Sequence, residues 1–163
     1  FGRIGQALAK LAIGAGMEVV FSDMHNDNID VALEFFDGQS LSFTCKNVGL
    51  EGVLAQSDFI SLHVPGGDLI GAAEIAKMKD GVFLLNAARG GVINEEALLD
   101  ALESGKVAGA GLDVFKNEPT PAVKVLMNGK VSLTPHIGAA TGEAQDRIGT
   151  ELAAHIDSLA ASL

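Results

Sequence analysis

Arg89, Glu118 and His136 are residue types that together could move a proton on a carboxylated substrate. An arginine offers a planar fork that fits a carboxylate and polarises an oxygen beside it. An imidazole titrates near neutral pH, so it can take a hydroxyl proton and return it. A carboxylate on the second ring nitrogen holds the imidazole in one tautomer and stabilises its charged form. Taken singly, each residue has an ordinary explanation as a surface Arg, a solvated Glu or a loop His. Their order and setting are more specific. Arg89 lies in Leu85-Asn86-Ala87-Ala88-Arg89-Gly90-Gly91, Glu118 follows Gly109-Ala110-Gly111-Leu112-Asp113-Val114-Phe115 and precedes Pro119, and His136 lies in Leu133-Thr134-Pro135-His136-Ile137-Gly138. Each block comes just after an apolar run that reads as a strand.

The elements that must position these blocks alternate along the chain. Helical spacing covers residues 6–15, 50–56, 72–78, 94–104 and 141–159, the fourth with Asn94 as N-cap, Glu95 and Glu96 in its first turn and Gly105 past its end. Strands are expected over residues 17–23, 59–64, 82–86 and 107–114. Residues 24–47 and 118–130 read poorly, with one strand around 41–45 in the first and a short helical turn in the second. Continuous apolar strands alternating with helices predict a doubly wound α/β fold, a parallel sheet with helices on both faces. The catalytic candidates then share the carboxyl edge of that sheet, where open α/β sheets bind ligands.

The same edge has the makings of a dinucleotide site. Phe1-Gly2-Arg3-Ile4-Gly5 fits the last five positions of G-x-G-x-x-G, in which Gly2 would let backbone approach a pyrophosphate and Gly5 would let the helix pack close to the sheet. Asp23 ends the next strand 18 positions after Gly5, close to the ~20 expected of an acid that binds ribose hydroxyls. A carboxylate there repels the extra phosphate of NADP and favours NAD. Oxidising a 2-hydroxy acid needs a carboxylate anchor, a base and a group that orients the base, which are the roles open to Arg89, His136 and Glu118.

Composition narrows the alternatives. Eleven basic against twenty-one acidic residues give a net charge of −10, which opposes the phosphate contacts that nucleic-acid binding needs. Apolar residues nowhere run for the roughly 18 positions of a membrane span, so no membrane partner is expected and a cytoplasmic setting is the default. The lone Cys45 excludes an internal disulfide and reads as a buried small apolar residue. His25 and His155 have no second ligand at metal spacing and are read as structural, leaving no expected metal site.

Asn86-Ala-Ala-Arg89-Gly90, Gly111-Leu-Asp-Val-Phe115 through Glu118-Pro119, and Thr134-Pro-His136-Ile-Gly138 resemble the signature blocks of the D-isomer-specific 2-hydroxyacid dehydrogenases, and the likeness covers almost the whole chain. The resemblance implies an NAD-dependent oxidoreductase with Arg89, Glu118 and His136 as its catalytic triad. Beside Gly2 and Gly5 of the glycine turn, it places Arg3, Ile4, Asp23, Ala87 and Asp113 against the coenzyme, Asp113 at the nicotinamide carboxamide, with His63-Val64-Pro65 lining the cleft beside the adenosine. Ala88, Gly138 and Ala139, in or beside the same blocks, are expected next to the coenzyme with Arg89 and His136.

By family frequency the substrate expected is a small D-2-hydroxy or 2-oxo acid, 3-phosphoglycerate foremost, which would place the protein in serine biosynthesis. The resemblance also implies a homodimer formed through the coenzyme domain, although Leu98, Leu99 and Leu102 fit helix packing equally well. A corepressor-like, NAD-sensing interaction protein of the same fold would carry the same motifs. The departures are specific: only Gly66-Gly67-Asp68 stand between Pro65 and Leu69, where the family usually has a longer stretch containing Thr and Glu. The first glycine and first strand of the family pattern, and its substrate domain, have no counterpart. Residues 1–163 are therefore read as a dinucleotide-binding domain that begins mid-fold, its helix from 141 returning toward the absent substrate domain.

Overall fold

A computed structural model describes residues 1–25 and 27–162. In chain order the elements are α1 (Arg3–Gly14), β1 (Val20–Phe21), β2 (Asn28–Glu34), β3 (Ser40–Asn47), α2 (Gly49–Gln56), β4 (Phe59–Leu62), α3 (Ala72–Lys77), β5 (Val82–Asn86), α4 (Glu95–Ser104), β6 (Val107–Leu112), α5 (Val123–Leu126), β7 (Val131–Leu133) and α6 (Gly142–Ala160). Strands β4, β5, β6 and β7 form a parallel sheet in that order, with Ile60 opposite Leu84, Leu84 opposite Ala110 and Leu112 opposite Leu133. Sequential parallel strands need crossovers, and α3 and α4 supply two of them. All four carboxyl ends therefore meet at one edge.

The main core lies between this sheet and α2, α3, α4 and α5. Leu54, Leu84, Leu98, Leu102, Val107 and Val125 are fully buried there. Along β5 the period of two turns Val82, Leu84 and Asn86 inward, and Phe83 and Leu85 outward. Phe83 stacks on Phe59 at 5.0 Å between ring centroids, on a face that the described residues leave largely open. The α/β class and the parallel sheet are those expected. Helix α4 starts and ends as read: Asn94 Oδ1 accepts the Ala97 N–H at 3.0 Å, and Gly105 takes φ 81°. Leu98 and Leu102 are buried in the chain's own core, and Leu99 packs against it.

Within the stretch read as one strand around 41–45, residues 28–47 fold differently. They form an antiparallel hairpin of β2 and β3, with Val31 opposite Phe43 and Glu34 opposite Ser40. Its turn uses Asp37-Gly38, Gly38 at φ 83° and the Phe35 N–H donating to the Gln39 carbonyl at 2.9 Å. The alternation Ile29, Val31, Leu33 marks β2, but its partner becomes visible only when the turn brings the two strands together. Strand β1, shorter than residues 17–23, pairs parallel with β3, so order β1-β3-β2 makes a second sheet. Ala9, Phe21, Val31 and the buried Cys45 form a smaller core under α1.

Candidate active site

His63 follows β4, Ala87 to Arg89 follow β5, Asp113 follows β6, and Thr134 to Gly138 follow β7. The ladder continues slightly past the strands, since Asp113 N–H donates to the Asn86 carbonyl and Thr134 N–H to the Leu112 carbonyl, both at 3.0 Å. That register fixes where each loop leaves the sheet.

His136 Nδ1 lies 2.7 Å from Glu118 Oε2, and Glu118 Oε1 accepts the Phe115 N–H at 2.8 Å. The hydrogen bond to His136, with that from Phe115, holds the Glu118 carboxyl below the usual range. With the carboxylate on Nδ1, a neutral imidazole carries its proton there and presents the Nε2 lone pair as a base. His136 itself sits in left-handed backbone at φ 55°, a conformation disfavoured for a residue with a Cβ.

The buried Asp113 carboxylate holds that loop. Its Oδ1 accepts the Thr134 hydroxyl at 2.6 Å and the Ile137 N–H at 2.9 Å, and its Oδ2 accepts the Gly138 N–H at 2.9 Å. Burial pushes this carboxyl up, yet the three hydrogen bonds and nearby His136 leave it below its ordinary value. Both flanks of His136 are thus tied to one buried anion.

Arg89 is exposed, and its Nη1 donates to the Ala88 carbonyl at 2.6 Å. Behind it, the buried Asn86 side chain spans the turn from inside, donating to the Arg89 carbonyl and accepting from the Ala88 N–H.

At the other end of the edge, Gly2 caps α1 and the buried Gly5 follows. A Cβ built on Gly5 would lie 3.4 Å from the Phe1 ring and 3.7 Å from the His63 ring, so helix and post-β4 loop touch here. His63 is half-buried, with Nε2 3.0 Å from Ser61 Oγ, and burial lowers its pKa. The Asp23 carboxylate accepts the His25 N–H at 2.8 Å. Val64 packs on the core, while Ile4, Pro65, Ala87 and Ala139 are exposed and Ala88 is half-buried. The Arg3 fork holds Glu151 of α6 at 2.9 and 2.7 Å. His25 and His155 are exposed, and among the described residues no cluster of three or more potential metal ligands occurs.

The sequence profile of the D-isomer specific 2-hydroxyacid dehydrogenase NAD binding domain matches residues 1–138. The chain belongs to this family. It is 46% identical to the hydroxypyruvate reductase of Thermotoga maritima, over 93% of this chain and 48% of that protein. It is 40% identical to the D-3-phosphoglycerate dehydrogenase of Mycobacterium bovis, over 93% of this chain and 28% of that one. A glyoxylate reductase structure from Paecilomyes thermophila superposes with a TM-score of 0.75 at 40% identity, covering 90% of this chain and 43% of that one. The chain thus spans about half the length, or less, of the relatives it matches.

The residues of this family domain suit its coenzyme. Helix α1 begins at the Gly2 cap, and the N–H groups of its first turn have no acceptor within the helix, as a pyrophosphate site requires. Among the described residues, chain neighbours aside, no atom lies within 4 Å of a Cβ built on Gly2. Sequence reasoning assigned no role to Asn86, Thr134, Ser61 or Gly90. Of these, Asn86 did carry a signal, a polar residue closing an apolar strand.

Proposed function

We propose that this chain carries the coenzyme site and proton-transfer dyad of an NAD-dependent D-2-hydroxyacid dehydrogenase. The supporting observation is the 2.7 Å pairing of His136 Nδ1 with Glu118 at the edge that also bears Arg89 and the α1 N-terminus. The N-terminal amides of α1 would hold the pyrophosphate, Asp23 the adenosine ribose, and Ala87, Ala88, Asp113, Gly138 and the 63–65 loop the remainder. NAD, when bound, accepts or supplies the hydride. In oxidation His136 Nε2 takes the hydroxyl proton, and in reduction it returns the proton to the oxygen of the 2-oxo acid. Glu118 keeps the ring oriented and stabilises its protonated form. Arg89 binds the substrate carboxylate and polarises the C2 oxygen.

The relatives' activities support a small 2-oxo acid. We take hydroxypyruvate as the first substrate to test and D-3-phosphoglycerate, with its place in serine biosynthesis, as the second. A homodimer and a cytoplasmic setting belong to the same reading; among the described residues no helix is long and apolar enough to cross a membrane.

The test follows NADH absorbance with hydroxypyruvate, glyoxylate and 2-oxo acid controls, and with phosphoglycerate in the oxidative direction, using the full-length gene product and its His136→Ala variant. Turnover removed by the substitution is expected. NADH binding without turnover on any substrate would overturn the reading in favour of a coenzyme-sensing interaction protein.

A further inference from the structure

Asn86 is one of two buried polar residues among the described residues, 3% exposed at the end of β5, and its side-chain amide bridges the arginine loop. Nδ2 donates to the Arg89 carbonyl at 2.9 Å, Oδ1 accepts the Ala88 N–H at 3.1 Å, and the main-chain carbonyl accepts the Asp113 N–H at 3.0 Å. Ala87, Ala88, Gly90 and Gly91 offer no polar side chain to do this instead. Among the described residues, the exposed Arg89 guanidinium donates to the carbonyl of the residue before it. Its direction therefore depends on the shape of the turn at 86–89.

The far side of that turn is wedged. A Cβ built on Gly90 would lie 1.8 Å from the Phe115 carbonyl oxygen and 2.4 Å from its carbon, so the two main chains are in contact. Phe115 is also the residue whose N–H holds Glu118. The arginine loop is thus pinned by Asn86 within and by the Phe115 backbone without, and that backbone is part of the support of the Glu118–His136 dyad.

We propose that Asn86 is a positioning residue that fixes Arg89 relative to this dyad, and so sets affinity for the carboxylate of the 2-oxo acid. The proposal rests on the reading of Arg89 as the carboxylate anchor. Loss of the Asn86 bridge should weaken substrate binding and leave the dyad and coenzyme binding in place.

Asn86→Asp is nearly isosteric. It keeps an acceptor for the Ala88 N–H and, when ionised, turns a lone pair toward the Arg89 carbonyl in place of a donor. The full-length gene product and this variant are compared for KM and kcat with hydroxypyruvate, for NADH affinity by fluorescence, and for binding of oxamate, a 2-oxo acid analogue, to the NADH complex. A KM raised about tenfold and oxamate affinity lowered about tenfold are expected, with NADH affinity within about twofold. Relative to the parent at each pH, the defect should shrink as pH falls, because a protonated carboxyl donates to the Arg89 carbonyl again. If Asn86→Asp does not fold, Asn86→Ser, which lacks the two-point amide bridge, is read the same way. Unchanged KM and oxamate affinity would overturn the proposal, as would KM, kcat and NADH affinity failing in step. A parent protein that binds oxamate without turning over any 2-oxo acid would refute the proposed reaction alone, and the variant's weaker oxamate binding would still support Asn86. A parent complex that binds no oxamate overturns both.

Discussion

Replacing Asp113 by Asn removes one atom's worth of hydrogen-bonding capacity from the loop that bears His136. The amide oxygen can still accept from Thr134 and Ile137, but an NH2 group then stands where Oδ2 meets the Gly138 N–H at 2.9 Å, donor against donor. A hydrogen bond to a charged group contributes about 1.5–3 kcal/mol. The freed loop also has a reason to move, since the left-handed backbone of His136 costs roughly 1–2 kcal/mol for a residue with a Cβ. If the loss falls on loop alignment, kcat/KM should drop by about 10- to 150-fold at roughly 1.4 kcal/mol per decade. The assay pairs kcat/KM with urea unfolding of the full-length gene product, and NADH affinity in parallel separates loop placement from a direct coenzyme contact. The pH dependence has a defined sign. The folded-state carboxyl is depressed, so its contribution is present above the unfolded value of about 3.9 and is lost as pH falls through the lower folded one. The stability gap between parent and variant should hold from neutrality to about pH 5 and close below it. A variant with kcat/KM within about twofold of the parent and unfolding free energy within about 0.5 kcal/mol would refute this account.

Gly90→Ala should destabilise by about 3 kcal/mol or more, because the new methyl meets backbone rather than a movable side chain, and a melting midpoint equal to the parent's would remove the loop contact from the argument. Leu98→Ala, at a fully buried core position, should cost about 2–5 kcal/mol in urea unfolding; a loss under about 1 kcal/mol would mean that the α4 face is not core. Glu118→Gln removes a carboxyl held below its usual range, whose contribution is present above the unfolded value and lost as pH falls through the folded one. Its unfolding free energy should therefore vary less with pH than the parent's below about pH 5, and identical slopes would count against the dyad. Asp23→Ser should shift the ratio of NADH to NADPH affinity toward NADPH by about tenfold in fluorescence titrations; an unchanged ratio would detach Asp23 from the ribose.

The legible parts were those governed by local rules. The β5 strand was bounded correctly because its apolar run is short, β-branched at its start and closed by a polar residue, and α4 because Asn94 and Gly105 cap it. The hairpin was not legible, since residues 24–47 carry two moderate strand patterns whose pairing depends on a turn rather than on either pattern. Arg3 shows the same limit in the site. The family resemblance sets it against the coenzyme, and what no local window shows is that its guanidinium also reaches Glu151, 148 positions away in sequence.

By itself, the sequence determined the alternation of strands and helices, the carboxyl edge at which Arg89, Glu118 and His136 stand, and the glycine turn opening α1, because periodicity, caps and turn residues act over a few positions. Only the tertiary structure decided that Asp113 clamps a loop 24 and 25 positions later, that Gly90 must admit the Phe115 carbonyl, and that Glu118 takes the Nδ1 side of His136. Those outcomes depend on which backbone donors and acceptors the parallel register brings within about 3 Å, a long-range result that no local window contains.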